Sequence, residues 1–469
     1  MRRKPLLGRT RHVHFVGIGG IGMSGIAEVL LNLGFTVSGS DHQPSPVTER
    51  LSSLGATVRD RHDGAWVKDA DVVVVSSAVR PDNVEIVAAL HHNIPVIRRA
   101  EMLGELMRMK QGVAVAGTHG KTTTTSFAGS VLQAGGLDPT LIVGGRLRSL
   151  KTNAKLGEGE FLVVEADEFD RSFLELTPTL AVITNIESEH LDCYRDLDEI
   201  KHTFVAFANK VPFYGAVVLC LDETALQEII PRLKRRIVTY GRNPQAEFRA
   251  VNPAFHSLRS EYTAVRRDRV LGRIRLQLPG MHNVKNSLAA VAVGFELDIP
   301  FSRIRRGLEE FSGVHRRFEV KADVARVLIV DDYAHHPTEI EATLRAARTG
   351  FDRRVVAVFQ PHLYSRTRDF HREFGRAFFD ADVLVVTDIY PAREDPLPGV
   401  TGQLVADAAR AVGHRQVVYL SDKNDVPDFL KRTVREGDMV ITLGAGDIWK
   451  AGDQLAALLA DSPASPPAA

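Results

Sequence analysis

Cysteine is nearly missing from this chain: Cys193 and Cys220 are the only two among 469 residues. Two thiols make neither a disulfide framework nor a Cys-type zinc site. A charge imbalance is missing too, because 59 basic and 58 acidic residues leave a formal +1. That excludes the electrostatic footprint of a nucleic-acid or anionic-membrane partner. No run of about 18 apolar residues occurs, so no transmembrane helix is expected. The start, Met1-Arg2-Arg3-Lys4-Pro5-Leu6-Leu7-Gly8, carries charge but no apolar stretch behind it, unlike a secretory signal. With 44% hydrophobic and 25% charged residues, the composition is that of a soluble globular protein. The expectation is a cytoplasmic enzyme of roughly three domains.

The stretch with the most chemical content is Gly117-Thr118-His119-Gly120-Lys121-Thr122, followed by Thr123. It follows the apolar run Val113–Ala116, which reads as a strand, and precedes Ser126–Leu132, which reads as a helix. Strand, glycine turn and helix start together make a phosphate cradle, with backbone N–H groups and the helix dipole aimed at an anion. A lysine adds a point charge and a threonine hydroxyl can ligate Mg²⁺. A full Walker A loop would need glycine where Val115 stands, so this is a shortened G-x-x-G-K-T. A plain glycine turn capped by threonine is the bland alternative.

A second glycine-rich turn lies near the N-terminus. Residues 12–16 read as a strand, an apolar helical run spans Ile26–Leu33, and a second strand spans Phe35–Gly39. Between strand and helix, Gly17, Gly19 and Gly22 fit G-x-G-x-x-G, with Gly20 and Ser24 alongside, and Asp41 lies where a ribose-binding acid is expected. The loop suits any nucleotide diphosphate, so an NAD-binding dehydrogenase or sensor stays open at this point. After the strand Ala70–Val75 come Ser76 and Ser77, which suit phosphate or sugar contacts or, equally, a helix cap before Pro81. The first boundary is placed near residue 110.

Two more strands deliver carboxylates. Gly159–Val164 leads to Glu165, Asp167 and Glu168, and Leu180–Thr184 leads to Asn185, Glu187, Glu189 and His190. Hard cations take oxygen ligands, so acidic strand ends after a phosphate loop suit a Mg²⁺–triphosphate site. Glu165 could also be a solvated charge, and His190 a base or a core residue. Asn283 and Asn286 start a helix three residues apart, able to cap it or to grip a purine edge.

A third αβ rhythm follows a boundary near residue 312. Strands at Val327–Val330, Val355–Phe359, Val383–Thr387 and Met439–Leu443 each run into polar, Gly- or Pro-marked loops, which gather at the carboxyl edge of a parallel sheet. These loops carry Tyr333, His335, His336 and Arg366. The paired histidines are adjacent, with no third ligand at zinc spacing, and read as substrate-site or structural residues. Residues 461–469, rich in Pro, Ser and Ala, are expected to be disordered.

Taken in order, the two glycine loops, Glu165-Ala166-Asp167-Glu168, Asn185-Ile186-Glu187 and His282-Asn283-x-x-Asn286 resemble the Mur ligase family. So do Arg316-Arg317-Phe318-Glu319, Asp331-Asp332-Tyr333-Ala334-His335-His336-Pro337 and Gly444-Ala445-Gly446-Asp447, so that the likeness covers residues 12–450. It implies an α/β chain of three domains. These are an N-terminal Rossmann-like UDP-sugar domain (1–110), a central P-loop-type ATPase with a mostly parallel sheet (111–312), and a C-terminal Rossmann-like domain (313–460) that closes over them. It also implies the first amino-acid-adding step of peptidoglycan synthesis: ATP-dependent joining of L-alanine to UDP-N-acetylmuramate through an acyl phosphate. A relative that adds a recycled tripeptide is the alternative.

The resemblance assigns roles residue by residue. Gly17, Gly19, Gly20, Gly22, Ser24, Asp41, Ser76 and Ser77 would hold the UDP-sugar, and Gly117 to Thr123 the ATP phosphates. Lys121 would touch the transferring phosphate; Thr122, Glu165 and His190 would serve Mg²⁺. Asn283 and Asn286 would meet adenine and Arg317 the phosphates. Tyr333, His335 and Arg366 would meet alanine, the arginine by a bidentate pair. Other members carry a carbamylated lysine after the position of His190; no matching motif stands here and none is expected. In some relatives arginine stands where this chain has Leu363. A monomer or weak homodimer is expected.

Overall fold

The structure is a computed structural model that describes residues 7–76, 78–145, 153–190, 193–392 and 394–461. Three sheets carry the chain. The first joins β1 (His12–Val16), β2 (Thr36–Ser40), β3 (Thr57–Arg59), β4 (Val72–Val75) and β5 (Val96–Arg98) in the order β3-β2-β1-β4-β5, all parallel. The order reverses between β1 and β4, which opens a crevice at their carboxyl ends. Val13, Phe15, Val73 and Val74 are fully buried, as expected of strands covered on both faces.

The second sheet is built from β6 (Gln111–Ala116), β7 (Thr140–Ile142), β8 (Ala154–Lys155), β9 (Phe161–Glu165) and β10 (Leu180–Ile183). To these it adds β11 (Ala216–Cys220), β12 (Ile237–Gly241), β13 (Phe248–His256), β14 (Arg259–Arg266) and β15 (Arg269–Leu276). Its order is β15-β14-β13-β12-β11-β10-β6-β9-β7-β8. β6 therefore lies between β10 and β9, parallel to both, with Val115 level with Glu165 and Ala116 level with Ile183.

The third sheet contains β16 (Glu319–Val324), β17 (Val327–Asp332), β18 (Val355–Phe359), β19 (Val383–Thr387), β20 (Val417–Leu420) and β21 (Met439–Leu443). Its order is β16-β17-β21-β18-β19-β20, parallel except for the antiparallel edge strand β16. Successive residues go to opposite faces. Val330, Ala357, Phe359 and Ile441 enter one core, while Ile329, Val356, Val358 and Val440 enter the other.

By compactness the chain divides into two units. One comprises Met1–Asn252, Tyr262–Ile274 and Lys285–Ser312; the other comprises Pro253–Glu261, Arg275–Val284 and Gly313–Ala469. No helix among the described residues is long and apolar enough to cross a membrane.

Several element limits differ from the sequence reading. The helix after the phosphate loop spans Lys121–Gly135, not from Ser126, so Lys121 and Thr122 are its first turn. The β-branched run Thr122–Thr125 hides this start, but its residues are buried, and Thr125 Oγ1 and Ser126 Oγ donate back to the Lys121 and Thr122 carbonyls. The first helix likewise spans Ile21–Asn32 rather than starting at Ile26. β20, unassigned by pattern, is a half-buried edge strand. The tail beyond Asp461 and Ser77 lie outside the described residues.

Candidate active site

The strand order of the second sheet builds the centre of the site. Because β6 is flanked by β9 and β10, the loop leaving β6 lies between the strand ends that carry Glu165 and Asn185. The loop can bend this way because of its glycines. Gly117 has φ 131° and Gly120 φ 80°, and a Cβ on Gly117 would fall 2.0 Å from Thr184 Oγ1. From the β10 side, the Asn185 side chain accepts the His119 amide at 2.8 Å, and Thr184 Oγ1 donates to the His119 carbonyl at 2.6 Å. Thr118 Oγ1 accepts the Glu187 amide at 2.9 Å, and His119 Nε2 lies 3.5 Å from Glu187.

From the β9 side come the charges. Lys121 Nζ donates to both Glu168 oxygens (2.8 and 3.0 Å) and to the carbonyls of Gly117 (2.8 Å) and Thr118 (3.2 Å). Burial alone would lower the Lys121 ammonium, but Glu168, Asp167 and Glu165 hold it above the usual lysine value. Burial pushes Glu168 up to about 7 against the pull of Lys121. Thr122 Oγ1 donates to Glu165 at 3.1 Å, and the other Glu165 oxygen accepts the Gly144 amide at 2.6 Å. Asp167, Glu168 and His190 bring one ligand atom each to within 4.8 Å of one another. His190 reaches this place with a left-handed backbone, φ 54°. This donor set, mostly carboxylate oxygen with a hydroxyl beside it, suits a hard divalent cation. Thr123 is buried, and Asn286 lies beneath the loop, its Oδ1 2.7 Å from where a Gly120 Cβ would be.

At the crevice of the first sheet, the Gly17 and Ile18 amides donate to the Ser40 carbonyl (2.9 and 3.0 Å). The Gly19 amide donates to Asp41 Oδ2 at 2.8 Å, and Gly20 precedes the helix Ile21–Asn32. Ser76 Oγ accepts the Ala78 amide at 3.4 Å, while the helix after Pro81 is capped by Asn83, so the capping alternative does not fall to Ser76. Ser76 lines a cavity of about 530 Å³ with Val79, Arg98, Arg99, Asp170 and Ser172. Ser24 is buried, donates to the Ile21 carbonyl at 3.0 Å and accepts from Asn153 Nδ2 at 3.4 Å. Arg99 went unnoticed in the sequence. It lies against Gly22, where a Cβ would come 2.9 Å from its Nη1, and its Nη2 is 3.9 Å from Asp167. Only the doubled arginine before a helix could have marked it.

In the second unit, the loop after β17 gathers the remaining residues. His335 Nδ1 is 3.0 Å from the Tyr333 carbonyl and 3.2 Å from Glu339, whose carboxylate also accepts the His335 amide. The Tyr333 ring stands edge-on to His335 at 5.1 Å, and the Arg316 and Arg317 guanidinium groups lie over it. Arg317 also lies 3.7 Å from Glu339. Arg366 reaches the group through His362, 3.2 Å from its Nδ1, and the His362 ring is 5.9 Å from that of His335. Asp332 is buried and accepts the Phe318 and Ala334 amides at 2.7 and 2.8 Å. Burial raises its carboxyl to about 6, despite Arg317. Asn283 is buried, and its Nδ2 donates to the Pro279 carbonyl at 2.7 Å, just before the helix Met281–Glu296.

Known proteins resemble this chain over nearly its whole length. Residues 12–111 match the Mur ligase family catalytic domain, 115–294 the Mur ligase middle domain, and 316–446 the Mur ligase glutamate ligase domain. The UDP-N-acetylmuramate–L-alanine ligase of Geotalea uraniireducens is 55% identical over 96% of this chain and 98% of its own. That of Salinibacter ruber is 58% identical over 98% and 97%. The crystal structure of UDP-N-acetylmuramate–alanine ligase MurC from Thermotoga maritima superposes with a TM-score of 0.79 at 30% identity, covering 95% of this chain and 98% of that one.

Proposed function

The chain belongs to the Mur ligase family, and we propose that it joins L-alanine to the lactyl carboxylate of UDP-N-acetylmuramate using ATP, releasing ADP and phosphate. The observation that carries this reading is identity of 55–58% along almost the whole length of relatives named for that reaction. We assign the UDP-sugar to residues 1–110, ATP to 111–312 and alanine to 313–460.

A carboxylate is a poor electrophile, and the γ-phosphoryl group gives it a leaving group. The alanine amine then attacks the acyl phosphate and expels phosphate. Such transfer depends on positioning and charge neutralisation. Lys121 supplies a fixed positive charge at the mouth of the phosphate loop, and a γ-phosphate competes with Glu168 for its protons. The N–H groups of the first turn after Gly120 face the same place. Thr122 and Glu165, with Asp167, Glu168 and His190 beside them, would hold Mg²⁺, which when bound offsets phosphate charge. Asn286 sits at the loop where the nucleotide would lie, and Arg317 offers a further cation. In the second unit Arg366 would pair with the alanine carboxylate, and Tyr333 with His335 would border the small side chain.

Phosphate release measured with alternative acceptors tests the assignment. L-Alanine should support turnover; release only with the tripeptide L-alanyl-γ-D-glutamyl-meso-diaminopimelate would make the chain a murein peptide ligase. UDP-N-acetylmuramate should raise the melting temperature and NAD should not. The reverse would return the first glycine loop to a dehydrogenase or sensor.

A further inference from the structure

Glu85, on the helix Val84–His91, is fully buried. Its Oε2 accepts the Ser40 hydroxyl at 2.6 Å and lies 3.1 Å from His62 Nδ1. Its Oε1 accepts the Asp63 amide at 3.3 Å and stands 3.6 Å from His14 Nε2. Behind it, His14 Nδ1 lies 2.7 Å from Ser38 Oγ, which is 2.6 Å from His12 Nε2. Burial disfavours charge on Glu85, but His14, Ser40 and the Asp63 amide outweigh it and hold the carboxyl below the usual range. An ionised carboxylate only accepts, which makes the Ser40 hydroxyl and His62 Nδ1 donors.

What Ser40 does with its backbone gives this cluster a role. Its carbonyl takes the Gly17 and Ile18 amides, and the carboxylate of the next residue, Asp41, takes the Gly19 amide. Three successive amides of the glycine loop are thus set by Ser40–Asp41. The Asp41 amide in turn donates to the Arg59 carbonyl at 2.9 Å, on the strand that leads to His62. Glu85 ties together β1, the end of β2 and the loop after β3. A buried apolar side chain could fill the same space without desolvating a charge, so packing alone does not account for a carboxylate here.

We propose that Glu85 is a positioning residue for UDP-sugar binding, holding Ser40–Asp41 and residues 60–63 so that the glycine loop is preset for the nucleotide. The inference rests on the reading of that loop as the UDP-sugar site. Glu85→Gln keeps the shape and an acceptor for Ser40 but removes the charge. It should raise the KM for UDP-N-acetylmuramate about tenfold, with kcat and the KM values for ATP and alanine within about twofold. Ser40→Ala, which removes the hydroxyl but leaves Glu85 its other partners, should shift the same constant and serves if Glu85→Gln fails to fold. Gly19→Ala is the control on the site, since its Cβ would meet Asp41 Oδ2 at 2.8 Å. If Gly19→Ala weakens UDP-N-acetylmuramate binding and the Glu85 and Ser40 variants do not, the positioning role is wrong. If Gly19→Ala has no effect, the site reading fails and the proposal goes with it. Equal losses in kcat and in all three KM values would mean a merely structural carboxylate and would also overturn it.

Discussion

Lys121 Nζ and Glu168 Oε2 lie 2.8 Å apart in a place where neither could stand alone, Glu168 being almost wholly buried. The pair ties the start of the helix after β6 to the segment after β9.

Lys121→Ala should reduce alanine-dependent phosphate release by about 10³-fold or more, through loss of the charge at the transferred group. It should also destabilise the fold by roughly 3 kcal/mol by leaving a buried acid unpaired. Because the Glu168 pKa is raised, its burial is tolerated when protonated and opposed when ionised, so the loss in melting temperature should grow from pH 6 to pH 8. Adding Glu168→Gln should recover the melting temperature and leave turnover absent. Recovery of turnover in the double variant would refute the role given to Lys121.

Glu165→Gln should move the Mg²⁺ concentration for half-maximal turnover upward by about tenfold, since it removes an anionic oxygen beside Thr122. A Mg²⁺ titration of initial rates checks this. An unchanged midpoint would exclude Glu165 from the cation site.

Asp332 yields a pH prediction in the second unit. Its carboxyl, raised to about 6 by burial, binds more protons folded than unfolded between roughly pH 4 and 6. Its contribution is therefore fully present below pH 4 and is lost as pH rises through 6, about 3 kcal/mol in all. Melting curves of Asp332→Asn should show a flatter dependence over that window than those of the unaltered chain.

Arg366→Lys should raise the KM for alanine about tenfold with the KM for ATP unchanged, because lysine cannot pair bidentately with a carboxylate. Rates measured against alanine at saturating ATP decide it. A shift confined to ATP would place Arg366 at the nucleotide.

How much of this was legible beforehand follows from range. Gly117–Thr122 was readable because strand, turn and helix are contiguous, and its acidic neighbours because apolar strands point at them. The order β10-β6-β9, which makes them neighbours, depends on pairing between distant segments and leaves no local mark. Ser24 was placed by its position in a motif, while its orientation is decided by packing against Asn153. The contacts of Arg99 with Asp167, and of Glu85 with Ser40 and His62, join segments distant in sequence, and nothing in their own helices announces them. Asn283 and Asn286, three apart on one helix, part company: one donates to the Pro279 carbonyl and the other lies against Gly120, a difference their spacing does not reveal.

The position of β6 inside its sheet has a consequence for how the protein is made. Synthesis delivers all five strands of the first sheet before β6 has emerged, so that sheet can close early on the ribosome. The phosphate loop must wait for β9 and then β10, and parallel pairings between separated strands form slowly. Until then the Lys121 ammonium is solvated and lacks its Glu168 partner. The loop after β6 thus takes its final shape late, once the second sheet has assembled around it.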